Sequence, residues 1–150
     1  MSTLASEKRA AVVDSVLPRW FQAALVTGDA LAFLLFSDIG RFTHHEPSGL
    51  SAPGAVVLTA LPFVIGWFVV SPWSGALRRS FIRRPVSMLL RTELTWVVAW
   101  PVAMLLRWLF DQQAGVPPLS FAIVALIMNG LFLGIWRTLF SLIVSKTSAR

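Results

Sequence analysis

The chain has 150 residues, of which 56% are hydrophobic and only 13% are charged. About a quarter of the residues of soluble domains are charged, so this composition excludes an ordinary soluble protein and indicates one polytopic membrane domain over residues 1–150. The formal net charge is +6, but most of the arginines flank apolar runs. This placement indicates membrane orientation and gives no reason to expect a nucleic-acid partner. The chain contains no cysteine, which excludes disulfides and thiolate chemistry.

Residues 1–18 are predicted to form a short helix in the cytoplasmic interface that Pro18 ends. A cleaved signal peptide is the competing interpretation. It is disfavoured because the next apolar run is long, contains Asp29 and is not followed by a small-residue cleavage site. That run, residues 20–37, is long enough to cross the hydrocarbon core. We expect Gly40 to end this first helix as a glycine with positive φ.

Three further apolar segments are each long enough to span a bilayer: residues 54–72, 88–110 and 119–144. The fold predicted is an all-α, four-transmembrane-helix bundle. An even number of spans places both termini on one side. Arginine and lysine are concentrated near the termini and between the second and third spans, whereas Arg41 is alone in the other two loops. The positive-inside rule therefore predicts that both termini are cytoplasmic.

Three ionisable residues lie deep within the predicted spans: Asp29, Glu93 and Arg137. A charge at the bilayer centre costs about 2.5–3.5 kcal/mol on insertion scales, so these side chains are expected to face one another. Because Glu93 and Arg137 lie at the same predicted depth, they are the preferred ion pair. Asp29 lies about one turn farther out and can share the guanidinium, or would be protonated or face a water-filled cleft. The cluster is either a clamp that specifies the fold or part of a transport path.

A second polar cluster is expected at the outer ends of the spans, where it comprises Asp38, Arg41, His44 and Arg107. His44 and His45 are adjacent and have no other histidine or cysteine to join them, so no metal site and no cofactor are predicted. Nucleophile-elbow, P-loop and zinc-protease motifs do not occur in the sequence, so no catalytic residue is assigned and no enzyme is expected.

Two strips of small residues are candidate helix-packing faces, because such strips let another helix approach closely. The strip on the first span consists of Ala24, Gly28 and Ala32, and the strip on the fourth consists of Gly130 and Gly134.

Several short motifs run through the chain: Gly40-Arg41-x-x-His44, Pro62-Phe63-x-x-Gly66-Trp67, Gly75-Ala76, Arg107, Phe121-Ala122-x-Val124-Ala125 and Trp136-Arg137. With Asp29 in the helix before them, they resemble domain-of-unknown-function family 3054, small bacterial four-helix membrane proteins. The resemblance covers nearly the whole chain. It implies a bacterial plasma-membrane protein and supports the choice of candidate site residues made above, but it implies no activity.

Two hypotheses of function remain open. The first is a small, oligomeric transport or permeation protein that uses the Asp29, Glu93 and Arg137 cluster. The second is a non-catalytic scaffold or assembly partner that docks through the small-residue faces. The expected partners are the lipid bilayer and either a second copy or another membrane protein.

Overall fold

The computed structural model describes residues 19–111 and 115–147, and within these residues the secondary structure is entirely helical. The interfacial helix predicted over residues 1–18 lies outside the described residues. The four long helices are α1 (Arg19–Thr43), α2 (Pro53–Ser74), α3 (Pro85–Phe110) and α4 (Leu119–Thr147). Short 3₁₀ turns, Gly49–Ser51 and Arg79–Phe81, occupy the first two connections.

All four helices are long and apolar enough to cross a membrane, which confirms the predicted fold of a multi-pass helical membrane protein. Sequential helices pack on one another, and α1 also packs on α4, so the bundle closes into a ring of up-and-down helices. The end that carries Arg19, the 75–84 connection and Lys146 is called the terminal end. The opposite end, formed by residues 44–52, Asp111 and residues 115–118, is called the distal end.

The prediction that Gly40 ends the first helix is wrong, because α1 continues through Gly40 to Thr43. The positive φ occurs at His45 (57°), where the amide of Glu46 donates to Arg41 O at 2.9 Å and that of His45 to Phe42 O at 3.1 Å. These two bonds form a Schellman turn that satisfies the carbonyls of Arg41 and Phe42, and its positive-φ residue lies five residues beyond Gly40. Histidine is among the side chains that adopt this conformation more readily than most.

A second Schellman turn ends α2. Gly75 has a φ of 75°, and the amide of Ala76 donates to Ser71 O at 3.2 Å. After this turn the chain folds back across the terminal end instead of leaving the bundle. Ile82 in this connection is fully buried and packs with Leu25, Met88 and Phe140. The terminal end is therefore closed by an apolar plug.

The centre of the bundle is aromatic. Phe33 of α1 lies 5.4 Å from Trp96 and 6.4 Å from Trp67, measured between ring centroids, and Phe36 lies 5.4 Å from Phe63. These rings are buried and form a layer across all of the first three helices. Aromatic rings at these separations contribute packing beyond their buried area. The layer divides the interior into a terminal half and a distal half.

Candidate functional site

Asp29 and Arg137 form a bidentate ion pair in the terminal half of the bundle. The Nε atom of Arg137 donates to Asp29 Oδ1 at 2.8 Å, and its Nη2 atom donates to Oδ2 at 2.6 Å. Both side chains have no exposed surface. The planar guanidinium matches the geometry of the carboxylate, which is the arrangement in which arginine binds a buried acid most strongly.

Two further elements complete this pair. The indole Nε1 of Trp67 donates to Asp29 Oδ2 at 3.1 Å, and the guanidinium carbon of Arg137 lies 4.8 Å from the centre of the Trp67 ring system. The Nη1 atom of Arg137 donates to the carbonyl oxygen of Ala76 at 2.9 Å. The Schellman turn at Gly75 is what brings this carbonyl into the bundle. All three guanidinium nitrogens and both carboxylate oxygens therefore have partners.

The predicted preference for Glu93 as the partner of Arg137 is wrong, because Arg137 binds Asp29 instead. Glu93 lies in the groove between α3 and α4, over the two glycines of the fourth span. A Cβ atom added at Gly130 would lie 3.0 Å from Glu93 Oε2, and one added at Gly134 would overlap Oε1. Among the described residues Glu93 has no hydrogen-bond or ion-pair partner.

The predicted small-residue strips are used inside the chain. Gly28 is buried, and a Cβ atom added there would overlap the indole of Trp136 on α4. The strip on α1 therefore lets α4 approach closely, and the indole Nε1 of Trp136 donates to Leu25 O at 3.4 Å. Gly130 and Gly134 make room for Glu93 in the same way.

The predicted outer cluster divides into two parts. Asp38 Oδ1 accepts a hydrogen bond of 2.5 Å from the amide of Gly49 and so anchors the first connection. Arg41 is also committed within the chain: it pairs with Glu46 at 2.9 Å and donates to Pro47 O at 2.8 Å and to the Thr59 hydroxyl at 3.3 Å. These contacts hold the first connection against α1 and α2.

His44 and Arg107 line open space at the distal end, where Arg41 also lines the larger cavity. Two adjoining cavities, of about 520 and 470 Å³, share His44, Arg107, Phe121 and Val124 in their linings. They form one cleft between the distal halves of α1 and α4, which we call the distal cleft. The larger cavity extends to Phe132, more than three turns into α4. Its size is within the range of small-molecule sites.

One residue of this cleft was not singled out from the sequence. Ser37 lines the larger cavity, is 1% exposed and has a buried hydroxyl without a hydrogen-bond partner among the described residues. Ser71, Thr138 and Ser141 also have buried hydroxyls without a partner among the described residues, but of the four only Ser37 lines the distal cleft. A serine near the end of an apolar span gives no signal of this kind in the sequence.

The comparisons with known proteins give a family but no activity. A family model described as protein of unknown function (DUF3054) matches residues 26–140. No curated protein and no solved structure matches the chain. The matched segment contains the Asp29–Arg137 pair and all the described residues that line the distal cleft, and it confirms the family suggested by the motifs. The chain therefore belongs to the DUF3054 family of proteins of unknown function.

Proposed function

We propose that this protein is a small, non-enzymatic transport protein that admits a solute through the distal cleft. The observation that carries the proposal is a cleft of several hundred cubic ångströms that opens at one end of the bundle and is closed below. Under the positive-inside prediction, the distal end faces the outside of a bacterial plasma membrane and both termini are cytoplasmic. The cleft would then face outward.

The closure below the cleft supports this proposal. Phe33 lies one turn along α1 from Ser37 toward the terminal end, and Asp29 lies one turn farther. The aromatic layer therefore stands between the cleft and the ion pair, and the apolar plug around Ile82 lies beyond it. An open outer cavity above closed interior layers is the arrangement of one state of an alternating-access protein.

This proposal changes the role that the sequence suggested for Asp29. The carboxylate and Arg137 have all of their partners and line neither cavity of the cleft. Their contacts join α1, α2, α4 and the 75–84 connection. We assign them the role of a clamp that holds the terminal half closed, and we place solute entry at the distal cleft.

Cysteine accessibility tests the proposal cleanly because the chain has no native cysteine. Met128→Cys would place a thiol in the cleft, and Ile127→Cys, 54% exposed on the outer face of α4, is the matched control at the same depth. A membrane-impermeant maleimide should label Met128→Cys rapidly from the distal side and more slowly from the terminal side in sided vesicles. Labelling from the distal side alone under all conditions would overturn transport. The control should stay unlabelled from either side.

A second candidate function, assembly with a second copy, rests on Glu93. Its carboxylate lies in a groove of about 400 Å³ whose rim includes Leu131 and Ile135, which are 52% and 57% exposed. A carboxylate that faces acyl chains is costly, and a second copy covering the groove would remove it from lipid. Ile135→Trp should then convert a dimer in nanodiscs into monomer, whereas Leu58→Trp on α2 should not. A monomeric wild-type protein would contradict this function.

A further inference from the structure

The lining of the distal cleft is polar at its mouth and apolar farther in. His44, Arg107 and Asp111 line its mouth together with the ion pair of Arg41 and Glu46. The deeper walls are formed by apolar side chains such as Phe36, Met128 and Phe132. A site with a polar mouth and an apolar body is complementary to a molecule with a charged head and a hydrocarbon tail.

The cleft is also open sideways. Ile39 of α1 and Val124 of α4 both line it, and they are 42% and 51% exposed on the face of the bundle that lipid would cover. A ligand can therefore enter from the bilayer between the first and last helices. Lateral entry favours a molecule that already resides in the membrane.

Arg107 is the cation at the mouth that remains available. Arg41 is held by Glu46, Pro47 and Thr59, whereas Arg107 has a single ion pair, to Asp111, with a separation of 3.7 Å. Among the described residues the other guanidinium donors of Arg107 have no partner. A guanidinium with free donors binds phosphate or carboxylate oxygens in a bidentate manner. Asp111 would move aside or share the guanidinium when an anion binds.

The unpaired hydroxyl of Ser37 gives an independent indication of a ligand. It lies within the cleft about two turns below the end of α1, where no described group bonds it. A buried polar group without a partner has lost its hydrogen bonds to water and gained none in return, which is unfavourable. A ligand that carries an oxygen near the start of its tail would satisfy it.

We infer that the distal cleft binds an anionic amphiphile, with its phosphate or carboxylate head on Arg107, an oxygen near Ser37 and its hydrocarbon tail along the apolar walls. The inference deepens the proposed transport function, since it names the class of solute at the same site. It is nevertheless a statement about binding, which does not require movement across the membrane.

Binding to the full-length protein in nanodiscs of phosphatidylcholine tests the inference. The probes are dodecyl phosphate and dodecanoate, with dodecanol as the uncharged tail and inorganic phosphate as the head without a tail. Both anionic probes should bind at least about tenfold more tightly than dodecanol, and inorganic phosphate should bind far more weakly than either. If dodecanol matches the anionic probes, or inorganic phosphate matches dodecyl phosphate, the inference is overturned.

Two variants assign the binding to these side chains. Arg107→Gln should weaken both anionic probes about tenfold or more and leave dodecanol unchanged. Arg91→Gln, which removes an exposed arginine of α3 outside the cleft, is the matched control and should leave all probes unchanged. Unaltered anion binding in Arg107→Gln would contradict the inference.

The two proposals can fail independently. If the amphiphiles bind but Met128→Cys is labelled only from the distal side, transport is overturned and the binding inference stands. If Met128→Cys is labelled from both sides but no amphiphile binds, the binding inference is overturned and transport stands.

Discussion

Arg137 and Asp29 stand 108 residues apart in the sequence and are joined by two hydrogen bonds of 2.8 and 2.6 Å in the terminal half of the bundle. Because they belong to the last and first helices, their pairing closes the ring of four helices. The same guanidinium also fixes the connection after α2 through Ala76. One side chain thus determines how three distant parts of the chain meet.

Removal of the Asp29 charge should destabilise the protein strongly. Asp29→Asn leaves the guanidinium of Arg137 buried without its counter-ion, and the expected loss is about 3–5 kcal/mol of unfolding free energy. Glu93→Gln is the control and should not lower that free energy, because Glu93 has no partner in the described chain and its charge is costly in the bilayer. Denaturant titration in detergent micelles measures both. A larger loss for Glu93→Gln than for Asp29→Asn would contradict the assignment.

The close approach of α1 and α4 at Gly28 gives a second prediction. Gly28→Ala would drive a methyl group into the indole of Trp136, and we expect a loss of about 1–3 kcal/mol from overpacking. Gly40→Ala is the matched control in the same helix, since nothing lies within 4 Å of its added Cβ. It should be neutral or stabilising by up to about 1 kcal/mol, because alanine favours helix. Equal effects of the two variants on thermal unfolding would show that α1 and α4 do not meet at Gly28.

The Schellman turn at Gly75 should contribute to stability, because it directs the Ala76 carbonyl toward Arg137. Its φ of 75° is unfavourable for any residue with a Cβ, so Gly75→Ala should cost about 1–2 kcal/mol. The substitution should also loosen the 75–84 connection by displacing the Ala76 carbonyl from Arg137. Gly54→Ala, in the first turn of α2 and in open space, serves as the control. Hydrogen exchange should rise in residues 75–84 for the first variant alone; unchanged exchange in this segment would count against the proposed contact.

The predicted orientation is testable from outside the cell. Ser48→Cys in the first connection should react with an impermeant maleimide added to intact cells. Lys146→Cys, at the end of α4, should react only after the membrane is permeabilised. The reverse pattern would place the arginine-rich connection outside and would make the distal cleft face the cytoplasm.

The sequence predicted the four spans and the need to neutralise Arg137, because length and hydropathy decide the first and the cost of a buried charge decides the second. It did not predict which acid would do so. Glu93 and Arg137 are level along the bundle, but depth says nothing about rotation of one helix against another. That rotation is set by Gly130 and Gly134, which accept Glu93 on one side of α4 while Arg137 turns toward α1.

Other features depended on contacts between distant segments. Gly40 resembled a helix end in the local sequence, but the Schellman turn formed at His45, while Asp38 and Arg41 bind the loop beyond it. The Ala76 carbonyl entered the site because the 75–84 connection folds inward on Ile82. Neither the helix end at His45 nor the inward fold of the 75–84 connection follows from a periodicity or a motif in the sequence.

A double-mutant cycle on Asp29 and Arg137 tests the central claim most directly. The unfolding free energies of Asp29→Asn, Arg137→Gln and the double variant should give a coupling of about 2–3 kcal/mol, because each single change strands a buried charge that the double change removes. The parallel cycle on Glu93 and Arg137 should give less than about 0.5 kcal/mol. Strong coupling to Glu93 with none to Asp29 would contradict the account.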